Sequence, residues 1–230
     1  MSTAIVVTNG FARVWTVLLD VVYPPRCGGC DRRGTWLCEM CRLDIAVPIG
    51  AQQVERLDAV ISGGVFRGPL RNAVHKLKYE SDRPLARPLA MVISEALAAD
   101  DRWVAEDGEP PTIVPVPLHA SRKRARGYNQ SELLANELSR ITGWPLDKRL
   151  VRVKSTRPQV GLHTDERHEN VLDAFRWQTD EAPLRVLLVD DVCTTGATLS
   201  ECAFALMSAG SEHIFAATAA RAIGGAHADS

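Results

Sequence analysis

The sequence predicts an α/β protein, a parallel-sheet core preceded by a small N-terminal zinc-binding module. Three observations carry this. Short apolar runs alternate with helical stretches along most of the 230 residues. One run, Val186 to Val189, leads through Asp190-Asp191 into a Thr/Gly-rich turn and a helical pattern. Four of the six cysteines crowd between positions 27 and 41.

Composition sets the bounds. With 46% hydrophobic and 24% charged residues, the chain can bury one α/β core with a small appendage. The net charge of -1 argues against global attraction to nucleic acid or membrane, so any basic patch must be local. No apolar run reaches the roughly 18 residues of a spanning helix. The apolar stretches Ile5–Val7 and Val14–Val22 are broken by Arg13 and Asp20, and no small-x-small cleavage pattern precedes Pro24-Pro25. They predict a short amphipathic helix against the main domain rather than a signal peptide, and hence a cytoplasmic protein.

Cys27-Gly28-Gly29-Cys30 and Cys38-Glu39-Met40-Cys41 follow the pattern Cys-x2-Cys-x7-Cys-x2-Cys. Each turn offers two thiolates from one tight loop, and four thiolates suit a closed, structural Zn2+ site. Gly28 and Gly29 let backbone N–H groups point at the sulfurs. The segment has too few apolar residues for its own core, so metal binding would supply its folding energy. Two disulfides, an unmetallated arm or iron–sulfur ligation are the alternatives. Residues 1–47 are thus read as a helix and knuckle, 54–222 as the main domain and 223–230 as a flexible tail.

Within the main domain, Ala59 to Phe66 reads as a strand, bulged at Gly63-Gly64. Arg71 to Leu77 reads as a helix with Leu70, Val74 and Leu77 on one face. Lys76, Lys78 and Arg83 bracket a polar turn, Tyr79 to Asp82. A helix follows from Pro84 to Ala99, then an acidic, Pro-rich loop from Asp100 to Pro111. Thr112 to Pro115 is a buried strand, and Leu133 to Ile141 a helix. Lys154 to Arg176 is long, polar and irregular. Arg185 to Val189 is a strand, Ala197 to Ala209 a helix, and Ile214 to Ala220 the last strand.

The turn after Val189 suits a phosphorylated sugar. Asp190 and Asp191, at the strand's carboxyl end, can accept hydrogen bonds from vicinal ribose hydroxyls. Thr194, Thr195, Gly196, Ala197 and Thr198 offer hydroxyls and backbone N–H groups at a helix N-terminus, where the dipole favours an anion. Gly196 allows close approach of the backbone. A Walker A loop is excluded because no lysine follows Gly196, and GxGxxG is absent.

A second loop, from Leu118 and His119 through Arg122-Lys123-Arg124-Ala125-Arg126, is strongly basic. Arginine grips pyrophosphate with paired hydrogen bonds, although a solvated surface or a nucleic-acid patch fits the same residues. Arg157 to Val171 is a candidate lid, and its His163 and His168 are either acid/base groups or surface residues. Cys193 and Cys202 read as packing residues.

The order of these segments resembles the ComF/GntX-type phosphoribosyltransferases over roughly residues 15 to 221. The resemblance rests on YPPRCGGC…CEMC, HKLKYESD, VPVPLHASRKRARGYNQSELLA, TRPQVGLHTDERHENVLDAF and LLVDDVCTTGATL. It implies a type I phosphoribosyltransferase fold that binds 5-phosphoribosyl 1-pyrophosphate (PRPP) with Mg2+. Asp190 and Asp191 would hold the ribose, Thr194 to Thr198 the 5-phosphate, and the loop from Leu118 the pyrophosphate. The family is associated with DNA uptake in natural competence. Two functions follow as expectations. One is transfer of phosphoribose to an unidentified nucleophile, a nucleobase or amine. The other is a non-catalytic PRPP- or nucleotide-sensing adaptor that binds DNA or a helicase-like partner, with DNA or the DNA-uptake machinery as its setting. A homodimer is compatible with either.

Overall fold

The computed structural model describes residues 24–50, 52–103, 108–153 and 174–223. The predicted N-terminal helix, the candidate lid with His163 and His168, and the tail beyond 223 lie outside them.

The elements in chain order are α1 (Glu39–Leu43), β1 (Ala59–Ser62), α2 (Gly68–Tyr79), a 3-10 turn (Arg83–Leu85), α3 (Ala86–Ala98), β2 (Thr112–Pro115), α4 (Ala120–Arg126), α5 (Gln130–Thr142), β3 (Leu150–Arg152), β4 (Phe175–Trp177), β5 (Arg185–Cys193), α6 (Ala197–Met207) and β6 (His213–Arg221). Four strands form a parallel sheet in the order β1-β6-β5-β2. Its strands are Val/Ile/Leu/Ala-rich because helices cover both faces. Alternation divides β5 between two cores. Leu187 and Val189 join Leu70, Leu77, Leu89, Ile93 and Leu134 on one face. Val186 and Leu188 join Leu199, Cys202, Leu206, Phe175 and Trp177 on the other.

The helices bury residues at helical spacing. α2 begins with Pro69 in its first turn and turns Leu70, Ala73, Val74 and Leu77 inward. Each fully buried leucine of this kind contributes about 1.5–3 kcal/mol of burial.

Four expectations change. The strand predicted over 59–66 ends at Ser62 and meets β6 again only through a bridge from Val65 to Arg221. A Cβ on Gly63 would lie 2.5 Å from Val92 Cγ1, and one on Gly64 2.4 Å from Ile45 Cγ2, so both glycines are sites of close packing. Lys78 and Tyr79 complete α2 instead of flanking a turn, which narrows to Glu80–Asp82 with Ser81 at φ 59°. The end of the stretch read as irregular, Phe175 and Arg176, belongs to β4, which pairs antiparallel with β3, just before that stretch, through Leu150–Trp177 and Arg152–Phe175. β5 does not stop at Val189. Its long partner β6 carries the ladder through Asp190, opposite Thr218, to Cys193, opposite Arg221.

Candidate functional site

The four knuckle cysteines converge, with their sulfurs all within 4.8 Å of one another, and none of them is in a disulfide. Backbone N–H groups of Cys38, Cys30 and Gly29 point at Cys27 Sγ. Burial opposes its ionisation, but these donors prevail and bring the thiol down to about 6. Burial pushes the Cys41 thiol up, as do hydrogen bonds with the other three cysteines and the charge of Cys27. A dication would relieve that repulsion. The donor set and convergence therefore fit a structural metal such as zinc, with no position left for a substrate. The module is seated on the core. A Cβ on Gly28 would fall 2.7 Å from Leu85 Cδ2, Asn72 Nδ2 donates to Gly29 O at 3.0 Å, and Arg42 pairs with Glu95 at 2.9 Å.

At the other end of the sheet, β5 delivers the two acids. They lie within the strand rather than beyond it, and they take different partners. Ser131 Oγ donates to Asp190 Oδ1 at 2.6 Å, and the backbone N–H of Asp191 donates to the same oxygen at 2.8 Å. Burial, and then the Asp191 charge, push the Asp190 carboxyl up to about 7 against the pull of Ser131 and Lys78. Asp191 is 3% exposed. Its Oδ1 takes the Lys78 ammonium at 2.9 Å, while its Oδ2 is buried without a hydrogen-bond partner. Lys78 is held above its usual range: burial works against the charge, and Asp191, followed by Asp190, outweighs it.

The turn beyond β5 brings Thr194 and Thr195 to the surface, while Ala197 and Thr198 are half-buried at the start of α6. Gly196 caps α6 at φ +84°, and a Cβ there would meet Val54 Cγ2 at 2.4 Å. The segment before β1 thus lies against this turn. Gln52 Nε2 donates to Thr194 O at 2.9 Å, and Arg56 Nη1 to Ser200 Oγ at 3.0 Å. Cys193 is buried, and burial, then Asp190, push its thiol up to about 12, so it stays protonated and unreactive.

The basic segment is a short helix, α4, where the sequence predicts a loop. Ala, Arg and Lys are good helix formers, and both ends are capped. His119 Nδ1 accepts from the Ser121 backbone N–H at 3.2 Å, and Gly127 ends the helix at φ +80°. The Gly-Tyr-Asn-Gln sequence then locks α4 to the core. Tyr128 Oη donates to Leu77 O, and Asn129 Nδ2 to Val116 O at 2.9 Å. Gln130 Oε1 accepts from Arg126 Nη1 at 2.5 Å, and Arg126 also stacks on Tyr79. Lys123 pairs with Glu132 at 2.9 Å. Leu118 lines a cavity of about 270 Å3 with Pro117, Lys123, Asn129, Glu132 and Arg152. A larger cleft of about 580 Å3, between β3–β4 and α6, holds neither acid.

No protein-family model matches the chain. The chain is 34% identical over 198 residues to competence protein F of Haemophilus influenzae, covering 83% of this chain and 82% of the relative. It belongs to the ComF family. It is also 34% identical over 191 residues to the DNA utilization protein YhgH of Salmonella typhimurium, 80% of this chain and 83% of that one. The competence protein ComFC of Bacillus subtilis matches 98 residues at 32% identity, 43% of this chain and 39% of that one.

In this ComF chain the structure adds residues to the site that the sequence reading leaves out. Lys78 reads as one charge in a polar turn, yet helix α2 carries it to Asp191. Ser131 follows the Asn129 cap and so faces Asp190. Arg152, at the end of β3, is held below its usual range by burial and then by neighbouring Arg122, with Cys202 and Asp190 pulling the other way. Arg122, Arg152 and Asp190 thus share one electrostatic neighbourhood. Gln52 reads as part of a linker, and nothing in its local sequence points to the turn 142 residues later. Among the described residues, no helix is long and apolar enough to cross a membrane.

Proposed function

We propose that this ComF chain binds PRPP with Mg2+ and transfers its phosphoribosyl group to a nitrogen nucleophile, releasing pyrophosphate, in a process linked to DNA uptake. The observation that carries this reading is the β5–α6 turn. A buried carboxylate with an unpartnered oxygen precedes a left-handed glycine and a helix N-terminus. In this reading Asp190 and Asp191 receive the ribose hydroxyls, and Thr194 to Thr198 receive the 5-phosphate. Leu118, His119, Arg122 and Arg126 border the pyrophosphate. His119 and Arg126 already have protein partners, which leaves Arg122 as the main donor of this group.

Mg2+, when bound, neutralises pyrophosphate through oxygen ligands. The chain's own part is to hold the sugar and favour positive charge at C1. As the C1–oxygen bond breaks, its electron pair leaves with pyrophosphate, and the acceptor nitrogen donates the new pair. Asp190 and Asp191 stabilise the charge that develops on the ribose, and the basic groups stabilise the leaving anion. The names of the relatives, competence and DNA utilization, support the biological setting. Four metal-binding thiols also suit a reducing compartment such as the cytoplasm.

The adaptor reading draws on the exposed Arg26, Arg32 and Arg33 of the knuckle and Arg124 of α4. It predicts DNA binding that weakens steeply with salt and no pyrophosphate release with any base or amine. Calorimetry tests the pocket itself. Asp190→Asn with Asp191→Asn should weaken PRPP binding about 100-fold or more, since each lost charged hydrogen bond costs about 1.5–3 kcal/mol. Asp190→Asn alone, which spares the Lys78–Asp191 pair, should weaken it about tenfold or more. Unchanged affinity in both variants would remove the assignment.

A further inference from the structure

We propose that Lys78 is the resident counter-ion of the acid pair and keeps free divalent cations out, so that a metal ion enters this site only with its anionic sugar. The sugar's identity rests on the PRPP reading, whereas the exclusion of metal can be tested without PRPP.

Two adjacent carboxylates at a strand end would ordinarily attract a hard dication, which prefers oxygen ligands. Here their oxygens are largely taken or closed off. Asp190 Oδ1 already accepts from Ser131 Oγ and from the Asp191 backbone N–H. Asp191 Oδ1 holds Lys78 Nζ at 2.9 Å, and Asp191 Oδ2 is buried. Asp190 Oδ2 is what remains, and a single carboxylate oxygen holds a hydrated dication only weakly. Charge leads to the same place. The Lys78 ammonium lies in the field of both acids and the Arg152 guanidinium in that of Asp190, so the pair already has positive charge beside it.

Lys78 is anchored at the root of its side chain. It stands one residue after Leu77, which is fully buried and whose carbonyl accepts the Tyr128 hydroxyl. A dication arriving alone would have to displace the partly buried Lys78 ammonium from the buried Asp191 carboxylate. A dication arriving on a pyrophosphate brings its own oxygen ligands and needs no oxygen from Asp191. Lys78 is thus a positioning residue. It acts through Asp191, whose Oδ1 can accept one further hydrogen bond, from the sugar, while it keeps the ammonium.

The test uses zinc-replete full-length protein and Mn2+ as the probe, with free Mn2+ read by electron paramagnetic resonance. Wild type without PRPP should bind no Mn2+ at sub-millimolar concentration. Lys78→Gln, which retains a neutral donor for Asp191, should acquire a Mn2+ site at least about tenfold tighter. Lys78→Arg should behave as wild type because it keeps the charge, whereas a merely structural role for Lys78 does not explain a gained Mn2+ site in folded Lys78→Gln. Uptake of Mn2+ by wild type alone, or a folded Lys78→Gln protein without the gain, overturns the proposal. If Lys78→Gln does not fold, Lys78→Met, which keeps the aliphatic stem without the charge, takes its place, and a folded Lys78→Met protein without the gain overturns the proposal. A final arm adds PRPP to wild type, which should then retain Mn2+. Failure there counts against the PRPP reading and leaves the result obtained without PRPP standing.

Discussion

Replacing Gly196 with valine is expected to lower the melting temperature by about 10 °C and to abolish PRPP binding. Two effects add. The left-handed backbone at φ +84° costs a branched residue about 1–2 kcal/mol. The new side chain would also overlap Val54, whose Cγ2 stands 2.4 Å from an ideal Cβ, and such overpacking costs about 1–3 kcal/mol. Relief comes only by moving the turn or the segment before β1, and either movement breaks the Gln52–Thr194 contact. Calorimetry and thermal melts check both parts. A valine variant that binds PRPP normally would mean that this turn does not hold the phosphate. Val54→Ala in the Gly196→Val background should restore part of the stability but not the binding, because the backbone strain stays.

The second large effect concerns the knuckle. Cys41→Ser should leave the protein with less than about a tenth of an equivalent of zinc, while wild type carries about one. Structural zinc contributes about 10–16 kcal/mol in isolated finger peptides, as much as the whole stability of a domain. The damage should nonetheless remain local. The two cores on the sheet share no cysteine ligand, whereas the knuckle has only Cys27, Cys38 and Cys41 with Leu37 beside them. Hydrogen exchange should show residues 26–44 losing protection while β5 and β6 keep theirs. Leu85 and Ala73, which Gly28 covers, should become more exposed. Collapse of the whole sheet would show instead that the knuckle is part of the main folding unit.

What was legible in the sequence follows a physical divide. Helices with a strong apolar face, such as α2 and α3, and strands with unbroken apolar runs, such as β2, stand close to where periodicity puts them. Short-range chemistry is also readable: Cys-x2-Cys turns converge because their geometry is local. The errors come where tertiary partners decide. β5 extends through two carboxylates because β6 lies alongside, which no β-propensity of aspartate would predict. α4 is a helix because His119 and Gly127 cap seven residues that carry no apolar face of their own. The pairing of Lys78 with Asp191 spans 113 residues, and Gln52 reaches Thr194 across the sheet edge. Such contacts leave no local signature, and they are the ones that set charge and access at the candidate site.

The account stands on one claim, that the β5–α6 turn holds phosphoribose. A crystal structure of the full chain with PRPP and Mg2+ tests it most directly. The account predicts the 5-phosphate on the backbone and hydroxyls of Thr194 to Thr198, the ribose hydroxyls on Asp190 and Asp191, and Lys78 still on Asp191. Density for PRPP elsewhere, with this turn and the Lys78–Asp191 pair unchanged and empty of ligand, would contradict it.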